Sequence, residues 1–280
     1  MSEPETGAPV ALVTGASGVV GSQAAVALSA RGYRVAVHGR SRRRLARTVQ
    51  ACSRPEETVL PLTGDLDAEG VAHGLVDAVL ESFGRLDVLV AAAGAFPKED
   101  FEGSDEQLWH SVLALNLTAQ TRLLRRALEP LRRARPGVVV LLGSEPVTRP
   151  VARPDQEAYY ASKGGLLGLA RGLQASLLHE PVSTVIVHPD WTLPDREVTD
   201  PAAQIPAGRL GEALAHVVAM AGLVRVREVT LHPLEAVAAD ADSPLPAAPP
   251  GPGTGRPPAA AGGAASHSGS PTQARSAVDD

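Results

Sequence analysis

Apolar residues fall along this chain in two rhythms. Compact runs rich in Val, Leu and Ala occupy residues 9–14, 33–38, 57–62, 85–94, 137–142 and 182–187, with a shorter one at 227–231. Runs of this kind predict strands buried on both faces. Between them the apolar positions recur every three or four residues, as in Leu166, Leu169, Leu173 and Leu177. That spacing predicts helices: one to about Arg31, one opened by Gly39 to Arg44, one from Asp67 to Phe83, one from Ser104 toward Arg133, one over 156–180 and one over 208–222. Ser104-Asp-Glu-Gln107 reads as a capping box, and Pro130 as a kink or early stop in the helix it opens.

Strands alternating with helices imply an α/β fold, a single Rossmann-type doubly wound parallel sheet with helices on both faces. Ligands in such folds bind at the carboxyl ends of the strands. The domain is expected over residues 9–238. Residues 1–8 read as a flexible start. From 239 to 280 the composition turns to Pro, Ala, Gly and Ser with almost no large apolar side chains, which predicts a disordered tail.

The first strand runs straight into Gly15-Ala-Ser17-Gly18-Val19-Val20-Gly21 and then a helix. Glycines there let backbone N–H groups approach a pyrophosphate at the positive end of the helix. The second strand ends at His38 and is followed by Gly39, Arg40 and Arg42 to Arg44. An acid near that place binds a ribose 2′-hydroxyl, whereas arginine accommodates a 2′-phosphate, so NADP(H) is favoured over NAD(H), with Arg40 as the contact. The other arginines fit a solvated helix start. Asp65 and Leu66 end the third strand where an adenine would lie, Ala92 and Gly94 close the fourth, and Pro189 and Thr192 follow the sixth.

Composition narrows the rest. The formal net charge is −5 and the pI about 5.9, so no basic excess points to nucleic acid. The single Cys52 excludes an internal disulfide framework and a cysteine metal cluster, which fits a reducing cytoplasm. His188 and His232 have no partners at metal-ligand spacing, so no metal is expected. The polar N-terminus lacks a signal pattern and no apolar run approaches the roughly 20 residues of a membrane span. A soluble cytoplasmic protein is expected.

Gln156-Glu-Ala-Tyr159-Tyr-Ala-Ser-Lys163 carries the candidate chemistry. On a helix, residues four apart share a face, which stacks a phenol on an ammonium. A fixed cation beside a phenol favours phenolate and lowers its pKa toward the range of a working acid or base. Asn116 stands mid-helix among apolar residues and needs amide partners, and Ser144 leaves the fifth strand at the edge the other loops share. Phe96 and Trp191 either line an apolar pocket or pack the loops.

In this order, Thr14 to Gly21, Asp65, Phe83-Gly-Arg-Leu-Asp-Val-Leu-Val, Asn116, Ser144, Tyr159 and Lys163 make the chain resemble the short-chain dehydrogenase/reductase family over roughly residues 9–235. The resemblance implies that Tyr159 protonates the substrate oxygen as hydride arrives from the nicotinamide. It implies further that Lys163 lowers the Tyr159 pKa and binds the nicotinamide ribose, that Ser144 bonds the substrate carbonyl, and that Asn116 holds a water linking Lys163 to solvent. A small carbonyl or alcohol substrate and a homodimer or homotetramer paired through the helices from Ser104 and Gln156 are also implied. The chain departs from the family pattern in three places. The middle glycine falls one residue early at Gly18, leaving Val19 in its place, as in the epimerase-like branch. Ala91-Ala92-Ala93 replaces a polar brace before Gly94, and Asp190 follows Pro189 where glycine is usual. Extra residues between Ser144 and Tyr159, among them Arg149, Pro150, Arg153 and Pro154, are expected to widen a substrate loop. The leading expectation is therefore an NADPH-dependent reductase of a ketone or aldehyde. The alternative is a non-catalytic NADP(H)-binding sensor or scaffold.

Overall fold

In the computed structural model, which describes residues 7–148, 155–200 and 204–233, each apolar run becomes a strand of one parallel sheet. The strands are β1 (Val10–Thr14), β2 (Arg34–Gly39), β3 (Val59–Thr63), β4 (Val88–Ala91), β5 (Gly137–Leu142) and β6 (Val182–Pro189). A separate two-residue pair, β7 (Thr192–Leu193) and β8 (Ile205–Pro206), precedes the edge strand β9 (Glu228–Leu231). The order β3-β2-β1-β4-β5-β6-β9 means that the chain works outward from β1, then returns to its other side at β4. The crevice above the β1 and β4 carboxyl ends is the switch point where such sheets bind ligands.

Period-two alternation explains why the strands are continuously apolar. Val10 and Leu12 face one core with Leu75 and Val76 of α4 (Val71–Phe83), Leu123 of α6 (Ala119–Ala134) and Leu166 of α7 (Glu157–Ser176). Ala11 and Val13 face the other, with Ala24 and Leu28 of α1 (Val19–Ala30), Leu45 of α2 (Arg42–Ala51) and Leu214 of α8 (Ala207–Ala221). The central strands β1, β4 and β5 have no wet face, so no alternation of polar residues survives in them, whereas the edge strand β9 alternates Glu228 and Thr230 with Val229 and Leu231.

Several boundaries differ from expectation, each for a local reason. A one-turn helix α3 (Pro55–Thr58) takes the start of the third apolar run, with Pro55 in its first turn. Asp67 does not begin a helix. Its Oδ1 stands 3.5 Å from Arg122, and α4 starts at Val71 after Gly70 turns the chain at φ 77°. Ser104 is not a cap: its Oγ donates to the Phe101 carbonyl and accepts from Trp109 Nε1, both at 3.0 Å. Asp105 caps α5 (Glu106–Leu113) instead, accepting from Leu108 N at 2.7 Å. The expected single helix is divided, since a π turn over Ala114–Thr118 separates α5 from α6. Pro130 does not stop α6, which runs on to Ala134. The ring is buried, and the missing N–H removes the intrahelical donor to the Arg126 carbonyl. The last long helix ends at Ser176, short of residue 180.

No helix among the described residues is long and apolar enough to cross a membrane. The tail expected at 239–280, residues 1–6 of the expected flexible start, and Arg149, Pro150, Arg153 and Pro154 lie outside the described residues.

Candidate active site

The end of β5, the π turn and the start of α7 bring the predicted catalytic residues together. Ser144, two residues beyond β5, and Tyr159, in the first turn of α7, line the same cavity. Lys163, one turn further along α7, is buried with Nζ 5.6 Å from the Tyr159 ring centre. Asn116 sits in the π turn, fully buried. An extra residue in a helical turn changes the direction of the side chains around it. Here it lets Asn116 grip Ala95 from both sides: Oδ1 accepts from Ala95 N at 2.8 Å, and Nδ2 donates to Ala95 O at 2.9 Å. Nδ2 also reaches Ser162 Oγ at 3.0 Å, and Ser162 donates in turn to the Tyr159 carbonyl at 2.7 Å. The amide is thereby satisfied by protein groups, and the π turn becomes a brace between the loop after β4 and the Tyr159 helix.

The electrostatics differ from the simple stacking picture. Lys163 turns its ammonium onto the Leu142 carbonyl at 2.6 Å, and burial lowers its pKa to about 8. Tyr159 is shifted up, not down. Burial dominates, the hydrogen bond from Ser144 opposes it, and Tyr160 adds to it. A cation over the ring face and bonded to a carbonyl does not reach the phenolic oxygen strongly enough to offset desolvation.

The nucleotide side is built by removing side chains. Gly15 takes φ 68°, and a methyl there would lie 2.7 Å from the Ala92 carbonyl oxygen and the Ala93 nitrogen. The turn therefore presses on the end of β4, which brings Ala92 beside it. Gly18 N donates to Gly15 O at 2.8 Å, and Gly18 is the N-cap of α1 with no side chain capping the helix. Buried Gly21 packs on the Gly15 carbonyl. Val19, 40% exposed, does not seal the crevice, and Val20 lines the adjoining cavity. Gly39 has Ser17 against it, leaving no room for the Cβ of an acidic residue: it would stand 2.5 Å from Ser17 Oγ. Arg40 is exposed beside the Ser41-capped N-terminus of α2. Asp65 is exposed with its Oδ1 3.4 Å from Asp67 N, and Leu66 is buried below. Gly94 approaches Asn116 and Lys163 so closely that a methyl would stand 3.2 Å from Asn116 Oδ1 and 3.8 Å from Lys163 Nζ.

A cavity of about 380 Å³ opens over Ser144 and Tyr159, walled by Phe96, Pro146, Gln156, Pro189, Asp190, Trp191, Thr192 and Leu193 among others. Phe96 packs edge-on to Tyr159 at 4.7 Å between ring centres and to Trp191 at 6.4 Å, so the two loop aromatics line the pocket and pack the loops at once. Asp190 accepts from Trp191 N at 2.6 Å and stands 3.6 Å from His232 Nδ1.

Some contributors were not singled out from the sequence. Gln120 donates to the Ala93 carbonyl at 2.7 Å, and Thr14 Oγ1 accepts from Ala93 N at 3.3 Å, so groups on other elements replace the brace missing from the alanine run. Gln120 stands one helical turn after Asn116, the only signal that marked it. His188 is buried against the Ser144 backbone, and the neighbouring Glu145 is buried as well.

The match to known proteins follows this geometry. A family model described as short chain dehydrogenase covers residues 9–203. The chain belongs to the short-chain dehydrogenase family. A 3-oxoacyl-[acyl-carrier-protein] reductase FabG of Staphylococcus aureus is 30% identical over 72% of this chain and 85% of its own length. An uncharacterized oxidoreductase of Thermotoga maritima is 29% identical over 72% of this chain and 84% of its own. Among solved structures, a metagenomic short-chain oxidoreductase in complex with NADP aligns with a TM-score of 0.69 at 27% identity, covering 80% of this chain and 96% of that one. As a short-chain dehydrogenase, the protein is an NAD(P)-dependent oxidoreductase.

Proposed function

We propose that the protein reduces a ketone or aldehyde with NADPH. The observation that carries this reading is the convergence of Ser144 and Tyr159 on one mostly apolar cavity. Two hydroxyls that converge there can both address one carbonyl oxygen. Ser144 polarises it, and Tyr159 delivers a proton as negative charge develops. The raised pKa of Tyr159 keeps the phenol protonated at neutral pH, the state a proton donor needs. Lys163 and Asn116 hold the helix and the loop after β4 in register behind it.

The nucleotide fits the residues present. The uncapped N-terminus of α1 and the Gly15 turn suit a pyrophosphate, because first-turn N–H groups have no intrahelical acceptors. Gly15, Ser17, Gly18, Val19, Val20 and Gly21 would hold it, with Asp65 and Leu66 at the adenine and Ala92, Gly94, Pro189 and Thr192 along the nicotinamide side. When bound, NADPH supplies the hydride. The preference over NADH rests on Gly39, where Ser17 leaves no room for a carboxylate, and on Arg40 beside it, whose charge suits a 2′-phosphate. Tyr159→Phe tests the reading. Turnover with a carbonyl panel is expected to fall by about 10²- to 10⁴-fold, the range of a lost general acid, while NADPH binding measured by fluorescence is kept. Tight NADPH binding by a wild type that turns over no carbonyl would favour a non-catalytic nucleotide sensor.

A further inference from the structure

We infer that His188 is a positioning residue for Ser144, its buried imidazole supporting the Ser144 peptide while Glu228 on the edge strand decides which ring nitrogen carries the proton; the inference rests on the reductase reading above. Strands β5 and β6 stay paired through Leu142 and Val187, and Gly143 N still donates to the Val187 carbonyl at 2.8 Å. Ser144 then leaves the sheet and is supported by the next β6 side chain. His188 Nδ1 lies 3.3 Å from Ser144 N and 3.1 Å from Ser144 O. One ring nitrogen cannot serve both, since it accepts from the N–H when bare and donates to the C=O when protonated.

Glu228 breaks that ambiguity. Its Oε1 stands 3.3 Å from His188 Nε2, and its Oε2 is 3.4 Å from Arg171 at the surface. The Nε2 contact is not well aligned as a hydrogen bond, but a carboxylate at that distance favours a proton on Nε2. Nδ1 is then the acceptor, and the Ser144 N–H is held. Burial pushes the His188 pKa down, with Arg171 and Lys163 acting in the same direction and Glu228 and the Ser144 carbonyl against it, so the neutral ring is the resting form. Gly143 belongs to the same arrangement, because any side chain there would collide with the imidazole. A fully buried histidine near the end of β6 carries a desolvation cost, and it stands where its ring meets the Ser144 backbone.

The test is a double-mutant cycle on kcat, with NADPH affinity measured alongside. His188→Leu keeps an apolar filler and removes both ring nitrogens. It is expected to lower kcat by roughly 10- to 100-fold, the range of a misplaced catalytic group, with NADPH affinity unchanged. His188→Asn, which restores a polar atom near Nδ1, should recover most of that loss. If His188 acts through Ser144, adding His188→Leu to Ser144→Ala changes kcat by no more than about twofold relative to Ser144→Ala alone, because coupled residues are not additive. Independent multiplication of the two losses, or a folded His188→Leu protein with wild-type kcat, overturns the proposal. Should His188→Leu fail to fold, Glu228→Ala serves instead: a smaller loss of kcat and faster exchange of the Ser144 amide proton are expected, and no change in either overturns it. If the wild type reduces no carbonyl, the reductase reading fails by itself. His188 is then judged on Ser144 amide exchange alone, faster in His188→Leu or Glu228→Ala supporting its role and unchanged exchange ending it.

Discussion

The two halves of the crevice are built by opposite means. Around the glycine turn the chain strips side chains away: Gly15, Gly21 and Gly39 sit where a methyl would strike backbone or Ser17. Around Ser144 it does the reverse, burying Asn116 in the π turn, Lys163 on α7, and Glu145 and His188 at the ends of β5 and β6. One half, proposed to recognise a nucleotide with its backbone, leaves no room for an added atom at these glycines. The other orients reactive side chains through polar partners and tolerates no removed one. Buried polar groups with partners specify geometry, but each carries a desolvation cost that a lost partner exposes.

The contrast predicts which changes hurt and how. The largest effect is expected from Gly15→Ala, which adds a methyl at positive φ against the Ala92 carbonyl. Stability should fall by about 2 kcal/mol or more, seen as a lower melting temperature, and NADPH binding should be lost with it. Next, Ser144→Ala leaves the backbone untouched and removes one donor from the cavity floor. A loss of about 10²-fold in kcat with unchanged NADPH affinity is expected, read from steady-state kinetics. Equal losses in binding and turnover there would erase the distinction between the halves.

Arg40→Ala sharpens the comparison on the nucleotide side. NADPH affinity should drop by roughly tenfold, the worth of one charge-assisted hydrogen bond, while NADH affinity stays the same by titration. The subtlest effect concerns Lys163 in the absence of nucleotide. Its pKa falls from 10.5 to about 8 on folding, so the folded protein releases that proton first. The cost of burying the charge is then full below pH 8 and is relieved as pH rises from 8 toward 10.5, so stability should climb across that window. Tyr159, raised above 10.0, works in the other direction only beyond its unfolded value. Denaturant melts of wild type and Lys163→Met between pH 7 and 10 check the slope, which should flatten in the variant.

Much of this was legible before any coordinates, and for identifiable reasons. Strands such as 137–142 and the phenol–ammonium pair at Tyr159 and Lys163 depend on spacing alone, and spacing is local. The errors clustered where local signals competed. The sequence reads Ser104 as the cap, but its Oγ is engaged with Phe101 and Trp109, and Asp105 caps the helix instead. The π turn at Asn116 left no mark in the apolar period, because one inserted residue shifts a helical stripe by less than the stripe is wide.

The linear chain by itself determined the alternation of strands and helices, the glycine turn at the end of β1 and the four residues that carry the candidate chemistry. The elements and the turn follow from backbone sterics and hydrophobic period, which act between near neighbours, whereas the four residues stand out through the ordered set in which the chain resembles its family. Only the tertiary structure decided that Lys163 turns to a carbonyl, that Tyr159 is held protonated, that Gly39 excludes a carboxylate and that His188 supports Ser144. Each of those depends on burial and on a partner distant in sequence, and desolvation acts through what surrounds a group in space.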